Sequence, residues 1–143
     1  MIIPSEISSY FSSHDFVDYP IIDIPQKFVD DRGLIFNLAD GIIGDVSLIK
    51  STPNSIRGNH YHVNDWHLCY IISGSCEYLW NENLTNSLIN KLTVNANQMI
   101  FTPSMTAHRL VFHEPTSFIT ISKLSRIKSN YDLDTIKLKD FFG

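Results

Sequence analysis

Short runs of β-branched and aromatic residues recur along the chain from residue 34 onward, each closed by a cluster of turn-forming residues. Residues 34–38, 45–51, 55–61, 67–73, 76–80, 87–94, 98–102, 108–113 and 117–123 read as strands. Turn chemistry separates them at Asp40-Gly41, Thr52-Pro53-Asn54, Ser73-Gly74, Asn81-Glu82-Asn83, Asn95-Ala96-Asn97 and Glu114-Pro115. No long stretch in the middle carries a helical period, so an all-β sandwich or barrel is predicted. Ahead of the strands, residues 4–16 predict a short helix: Pro4 suits its start, and Ile7, Tyr10 and Phe11 share a face. Residues 18–25 read as an extended lead-in punctuated by Pro20 and Pro25. The polar tail, residues 125–143, ends in Phe141-Phe142 and predicts a closing strand or short helix that docks both rings.

Length and composition narrow this picture. The 143 residues predict one domain, 1–143, and 43% apolar with 18% charged residues is a globular balance. The net charge is -4 and the 11 basic residues are spread thinly, which argues against nucleic-acid binding by counterion release. Apolar runs such as Cys69-Tyr70-Ile71-Ile72 fall far short of the ~20 residues that span a bilayer, so no membrane partner is expected. Residues 1–13 hold Glu6 and no basic cluster. No signal peptide is therefore expected; the expected location is the cytoplasm, with Cys69 and Cys76 as free thiols.

The chemistry concentrates in Arg57-Gly58-Asn59-His60-Tyr61-His62-Val63-Asn64-Asp65-Trp66-His67. Residues two apart on a strand project from one face, so His60 and His62 point together. His67 opens the next strand, and His108 follows Pro103 in a second strand pair. Neutral imidazoles converging inside a sandwich make either a first-row metal site or an acid/base cluster. His14 and His113 read as ordinary half-exposed histidines, and Cys69 as core packing. Trp66 and Trp80 read as core or pocket wall, with Trp66 and Asn59 carried as candidate substrate contacts.

These residues resemble the two-part signature of the cupin superfamily. His60-x-His62 is followed by four residues, His67, six residues and Gly74. The second part runs Asn97, five residues, Pro103-x-Met105, two residues, His108. His67 stands where the family has Glu, and Asn97 and Met105 stand where it has Gly. The implied fold is the cupin double-stranded β-helix, a jelly-roll sandwich, here with a short N-terminal helix. Asp31-Arg32-Gly33-Leu34 followed by Arg57-Gly58-Asn59-His60-Tyr61 resembles, more narrowly, the dTDP-4-dehydrorhamnose 3,5-epimerases and nucleotide-sugar 3,4-ketoisomerases. That resemblance implies that Arg32 and Arg57 meet a nucleotide diphosphate and that His60 removes the proton beside a sugar ketone. The same motif is similar to the cupin domain of bifunctional capsular-sugar enzymes, which implies histidine-held zinc.

The expected activity is isomerisation or epimerisation of a 4-keto-6-deoxy nucleotide sugar in surface polysaccharide biosynthesis. It needs a base near pH 7, an acid and donors for the enolate oxygen. His60 suits the base, His62 or His108 the polarising group, and Tyr78 or Tyr70 the acid. Arg32 and Arg57 offer guanidinium forks for the diphosphate. No cofactor is required for that proton transfer. If a metal is bound, His60, His62, His67 and His108 are its expected ligands, and imidazole nitrogen favours Zn, Ni or Fe over Mg or Ca. The alternatives are a metal-dependent cupin of other activity and a non-catalytic sugar-binding cupin. A homodimer is expected, with residues 18–29 suited to strand exchange.

Overall fold

A computed structural model describes residues 3–11, 16–24, 27–85 and 88–143, and the backbone alone of Lys27 and Lys128. Strands β1 (Phe16–Asp18), β2 (Ile21–Ile22), β5 (Asp45–Ser51), β7 (His67–Ser73), β10 (Met99–Thr102) and β12 (Thr116–Ser122) build one sheet. Its order is β1-β2-β10-β7-β12-β5. A second sheet has the order β13-β6-β11-β8-β9. It comprises β6 (Ser55–His62), β8 (Ser75–Asn81), β9 (Asn90–Asn95), β11 (Ala107–Phe112) and β13 (Thr135–Lys137). β3 (Lys27–Asp30) and β4 (Gly33–Phe36) pair only with each other. Every pairing is antiparallel, and the two sheets form the expected cupin jelly roll.

All nine strands expected from residue 34 onward form, and residues 45–51 and 67–73 do so within the expected bounds. The front of the chain differs from expectation. Among the described residues of 4–16 the helical part is one 3-10 turn, Ser5–Ile7, and Phe16 already belongs to a strand. Ile7 and Tyr10 need only that single turn to reach the sheet, where both are buried. His14 and Pro25 lie outside the described residues. The tail forms both candidates: helix α1 (Lys128–Asp134), then β13 on the edge of β6. Among the described residues no helix is long and apolar enough to cross a membrane.

Two cores explain why β7 and β10 lack alternation. Cys69, Ile71 and Ile100 face inward, between the sheets, with Tyr78, Phe112 and Phe118. Leu68, Met99 and Phe101 face the other way and are covered by Ile7, Tyr10 and Ile24. A strand covered on both faces has no polar positions to alternate with. Full burial of side chains this large is worth about 1.5–3 kcal/mol each. Cys69 and Cys76 are both free and buried.

One irregularity positions the site. β6 pairs with β11 through His60↔His108 and then Gly58↔Arg109, so Asn59 is an extra, unpaired residue. Gly58 (φ 89°) and Asn59 (φ 57°) both adopt left-handed backbone. A bulge of this kind shifts strand parity by one. Arg57, three residues before His60, would otherwise point to the opposite face; its register partner is instead the inward Leu110. A Cβ at Gly58 would lie 2.8 Å from the His108 carbonyl oxygen. Gly58→Ala is therefore expected to cost about 1–3 kcal/mol and to disturb the His60–His108 pairing. Chemical denaturation together with the amide NMR shifts of His60 and His108 measures both effects. An unchanged midpoint would contradict the strained bulge.

Candidate active site

Between the sheets lies a cavity of about 240 Å³ whose lining includes His60, His67, His108, Tyr78, Arg57 and Arg126. Half of its wall is apolar, from residues such as Ile49, Ile100 and Phe118. The imidazoles form one contiguous group. Ring centroids are 4.6 Å apart for His60–His62, 4.7 Å for His60–His108 and 4.6 Å for the stacked His62–His67 pair. β6 presents the first two, β11 the third, and the first residue of β7 the fourth.

The hydrogen bonds divide these rings into two kinds. His108 Nδ1 lies 3.0 Å from the Thr106 carbonyl oxygen. A carbonyl only accepts, so Nδ1 carries the proton and Nε2 keeps a lone pair. His62 Nδ1 pairs with Thr135 Oγ1 at 3.1 Å, and its Nε2 is buried with no partner among the described residues. One ring nitrogen from each of His60, His62 and His108 lies within 4.8 Å of the other two. His67 differs: its Nε2 donates to Asp65 Oδ2 at 2.9 Å. That nitrogen is committed to a carboxylate, so the expected four-imidazole set divides into a triad and an Asp65–His67 pair.

Charge follows the same division. Burial, with neighbouring His108 and His67, holds His60 down at about 3. Burial and His67 do the same to His62, and burial and His62 to His108, again to about 3. All three are neutral at pH 7. Burial works to raise the Asp65 carboxyl, but the hydrogen bond and charge of His67 and the Leu124 N–H outweigh it, and the group ends below its usual value. The triad suits a first-row cation: three neutral nitrogens, one of them buried without a partner, with an open side toward the cavity.

Other expected residues fall elsewhere. Trp66 is buried in the outer core with Leu68 and Phe101 and does not line the cavity. Asn59 supplies the bulge, and its carbonyl accepts the Leu138 N–H, but it does not line the cavity either. Tyr70 faces the outer side, where its hydroxyl donates to Asn97. Arg32 is 84% exposed at the tip of the β3–β4 hairpin, paired with Asp30 and away from the cavity wall. Strand parity assigns Tyr70 to the outer face, and Trp66 precedes β7, where no strand rule applied. Arg57 and Tyr78 line the wall. The Arg57 Nε donates to Ser51 Oγ at 2.7 Å. The Tyr78 hydroxyl pairs with Thr102 Oγ1 at 2.6 Å, and burial pushes its pKa well up.

Three site residues were not anticipated. Asp65 carried a local signal, an acid two residues before His67. Arg126 and Tyr131 carried none, because the tail is polar and aperiodic. The Tyr131 ring stands 5.8 Å from His62 and 6.5 Å from His60, with the Arg126 guanidinium 5.6 Å above it. Asn97 and Met105, which replace two motif glycines, keep left-handed φ of 68° and 61°.

The neutral triad sets a pH dependence. Unfolded, these histidines take up protons near 6.5; folded, near 3. Between those values the unfolded state binds more protons, so stability is full above pH 6.5 and falls as the solution is acidified. Each group contributes at most ~1.4 kcal/mol per pH unit, less where the three are coupled. Urea unfolding midpoints of metal-free protein should drop steadily from pH 7 to pH 4. A flat profile would contradict a buried neutral cluster.

No curated protein matches the chain in sequence. Solved structures match its fold. WlaRB, a TDP-quinovose 3,4-ketoisomerase from Campylobacter jejuni, has a TM-score of 0.64 at 21% identity, over 79% of this chain and 93% of that one. QdtA, a sugar 3,4-ketoisomerase from Thermoanaerobacterium thermosaccharolyticum in complex with TDP, has a TM-score of 0.64 at 13% identity, over 87% and 92%. The capsular polysaccharide assembling protein CapF from Staphylococcus aureus has a TM-score of 0.60 at 22% identity, over 92% of this chain but 37% of that one. The profile of the family described as "Polysaccharide biosynthesis C-terminal domain" covers residues 28–136. With that match over most of its length and a cupin fold carrying the histidine cavity, the chain belongs to the polysaccharide biosynthesis C-terminal domain family.

Proposed function

We propose that this protein is a cytoplasmic isomerase or epimerase of nucleotide sugars in polysaccharide biosynthesis. It would remove the proton beside the ketone of a 4-keto-6-deoxy sugar and return a proton at another face or atom. The observation that carries this reading is the Asp65–His67 pair, set in a cavity whose wall also holds two arginines and a buried phenol. Similar folds named as TDP-sugar ketoisomerases support it.

Roles follow from the geometry. His67 is placed to be the base, because Asp65 holds the proton on its Nε2 and leaves Nδ1 as the acceptor. His60, held down at about 3, takes up a proton poorly near pH 7. Tyr78 stays protonated and is a donor for the developing enolate oxygen. Arg57 and Arg126 receive the diphosphate through their guanidinium forks. His60, His62 and His108 would hold a divalent transition metal, which when bound supplies Lewis acidity beside the ketone. His67 takes the proton and, in a keto shift, returns it on the same face to the neighbouring carbon; inversion would take its proton from a donor on the opposite face, and the apolar wall keeps water from the reacting carbon.

The test is proton NMR of a TDP-4-keto-6-deoxyhexose with the protein in D2O. Wild type should introduce deuterium at the carbon beside the ketone. His67→Ala should slow this by roughly 10²–10⁴-fold, and Arg57→Ala should raise KM first. A rate lost on chelation and restored by Zn²⁺ would make the metal part of the site; a rate indifferent to chelation would leave the imidazoles to act directly. Binding without any deuterium uptake would sink the enzyme reading and leave a sugar-binding cupin.

The functional unit we propose is a homodimer. The β3–β4 ribbon pairs Phe28 with Ile35 and Val29 with Leu34, and all four side chains are more than half exposed. A lone two-stranded ribbon, apolar on both faces, is marginal in water. Val46 and Leu48 on the edge strand β5 are exposed too. A second copy covers both surfaces, and Arg32 rides on the ribbon. Light scattering at micromolar concentration should give twice the chain mass, and Val29→Glu with Leu34→Glu should halve it. A wild-type monomer would contradict the dimer.

A further inference from the structure

Asp65 is fastened to both ends of one segment. The Leu124 N–H donates to its Oδ1 at 3.0 Å, and its own N–H donates to Asp134 Oδ2 at 2.9 Å. Residues 125–133, which include most of helix α1, are therefore a segment whose ends both land on the residue that orients His67. That segment carries Arg126 and Tyr131 to the cavity.

Asp134 does most of the fastening. Its Oδ1 accepts the Asn64 N–H at 2.8 Å and Nδ2 of the same residue at 3.1 Å, while its carbonyl accepts the Val63 N–H at 3.0 Å. Three consecutive residues between β6 and β7 are thus held by one. Asp134 is 6% exposed, and no cationic side chain pairs with it among the described residues. A carboxylate at that depth is costly unless N–H donors satisfy it. Those it has belong to the loop that carries Asp65. The next residue, Thr135, touches the His62 ring.

We propose that Asp134 is a positioning residue. By clamping residues 63–65 it sets the Asp65 carboxylate against His67 Nε2, and it holds Tyr131 and Arg126 over the cavity through the same bonds. The base and the cap are thereby aligned together. This inference rests on the isomerase reading for its kinetic consequence but not for its structural one.

The experiment compares wild type, Asp134→Asn and Asp134→Ala. The Asn side chain keeps one acceptor of two, so it remains informative if Asp134→Ala fails to fold. Long-range proton–nitrogen NMR of ligand-free protein reads the His67 tautomer. Wild type should show the proton on Nε2 alone, Asp134→Asn a partial loss of that preference, and Asp134→Ala a mixed pair. In the deuterium assay kcat should fall about 10–100-fold, the usual cost of losing an orienting partner one step from the reacting group, with KM changed far less. Folded variants with an unaltered His67 tautomer and a kcat within twofold of wild type would overturn the proposal. If wild type exchanges no deuterium, the isomerase reading fails, and the tautomer spectra still decide the role of Asp134.

Discussion

Strand β6 carries one residue more than β11 between His60 and Arg57, and the cavity depends on that extra residue. Side chains on a regular strand alternate, so Arg57 and His60 would lie on opposite faces of the sheet. The unpaired Asn59 brings them to the same face. Such a bulge demands left-handed backbone, and glycine is the residue that reaches φ 89° where a Cβ would strike the His108 carbonyl. One backbone irregularity thus brings a guanidinium and the imidazole triad to a common space.

Inside that space the division of labour is electrostatic. Buried imidazoles that face one another stay neutral, because protonating one disfavours the next and burial disfavours all of them. Three neutral rings suit metal ligation or polarisation. The fourth, His67, has a carboxylate of its own and so a way to stabilise positive charge. The Asp65 carboxylate in turn accepts from the Leu124 N–H across the fold and from His67 two residues on. His67 thus has a carboxylate partner two residues back along the chain.

The outer surfaces bear on the same centre. The N-terminal segment seals the far face of the β7–β10 sheet, which stiffens the strands that present His67 and Thr102. The C-terminal segment closes the near side and pairs with β6 through Thr135↔His62. Most of the β3–β4 ribbon has no covering layer among the described residues, although Phe36 packs on the outer core, and the ribbon carries Arg32 away from the cavity.

The strands, their turns and the convergence of four histidines were legible from the sequence, because period, turn residues and the His60-x-His62 spacing are local properties. The two-part motif identified the cupin fold for the same reason. The N-terminal helix is shorter among the described residues than its apolar face suggested, since such a face fits a single turn as well as three. Trp66 and Asn59 could not be assigned, because sequence nearness to the histidines does not say which face a residue takes; strand parity relative to His67 already pointed Tyr70 outward, and the place of Arg32 depends on where the β3–β4 ribbon sits. Tertiary structure alone decided that Asp65 claims His67, that Asn59 shifts the parity of β6, and that Arg126, Tyr131 and Asp134 arrive from a polar tail. The tail contacts join residues far apart in the chain, and neither periodicity nor propensity carries information about them.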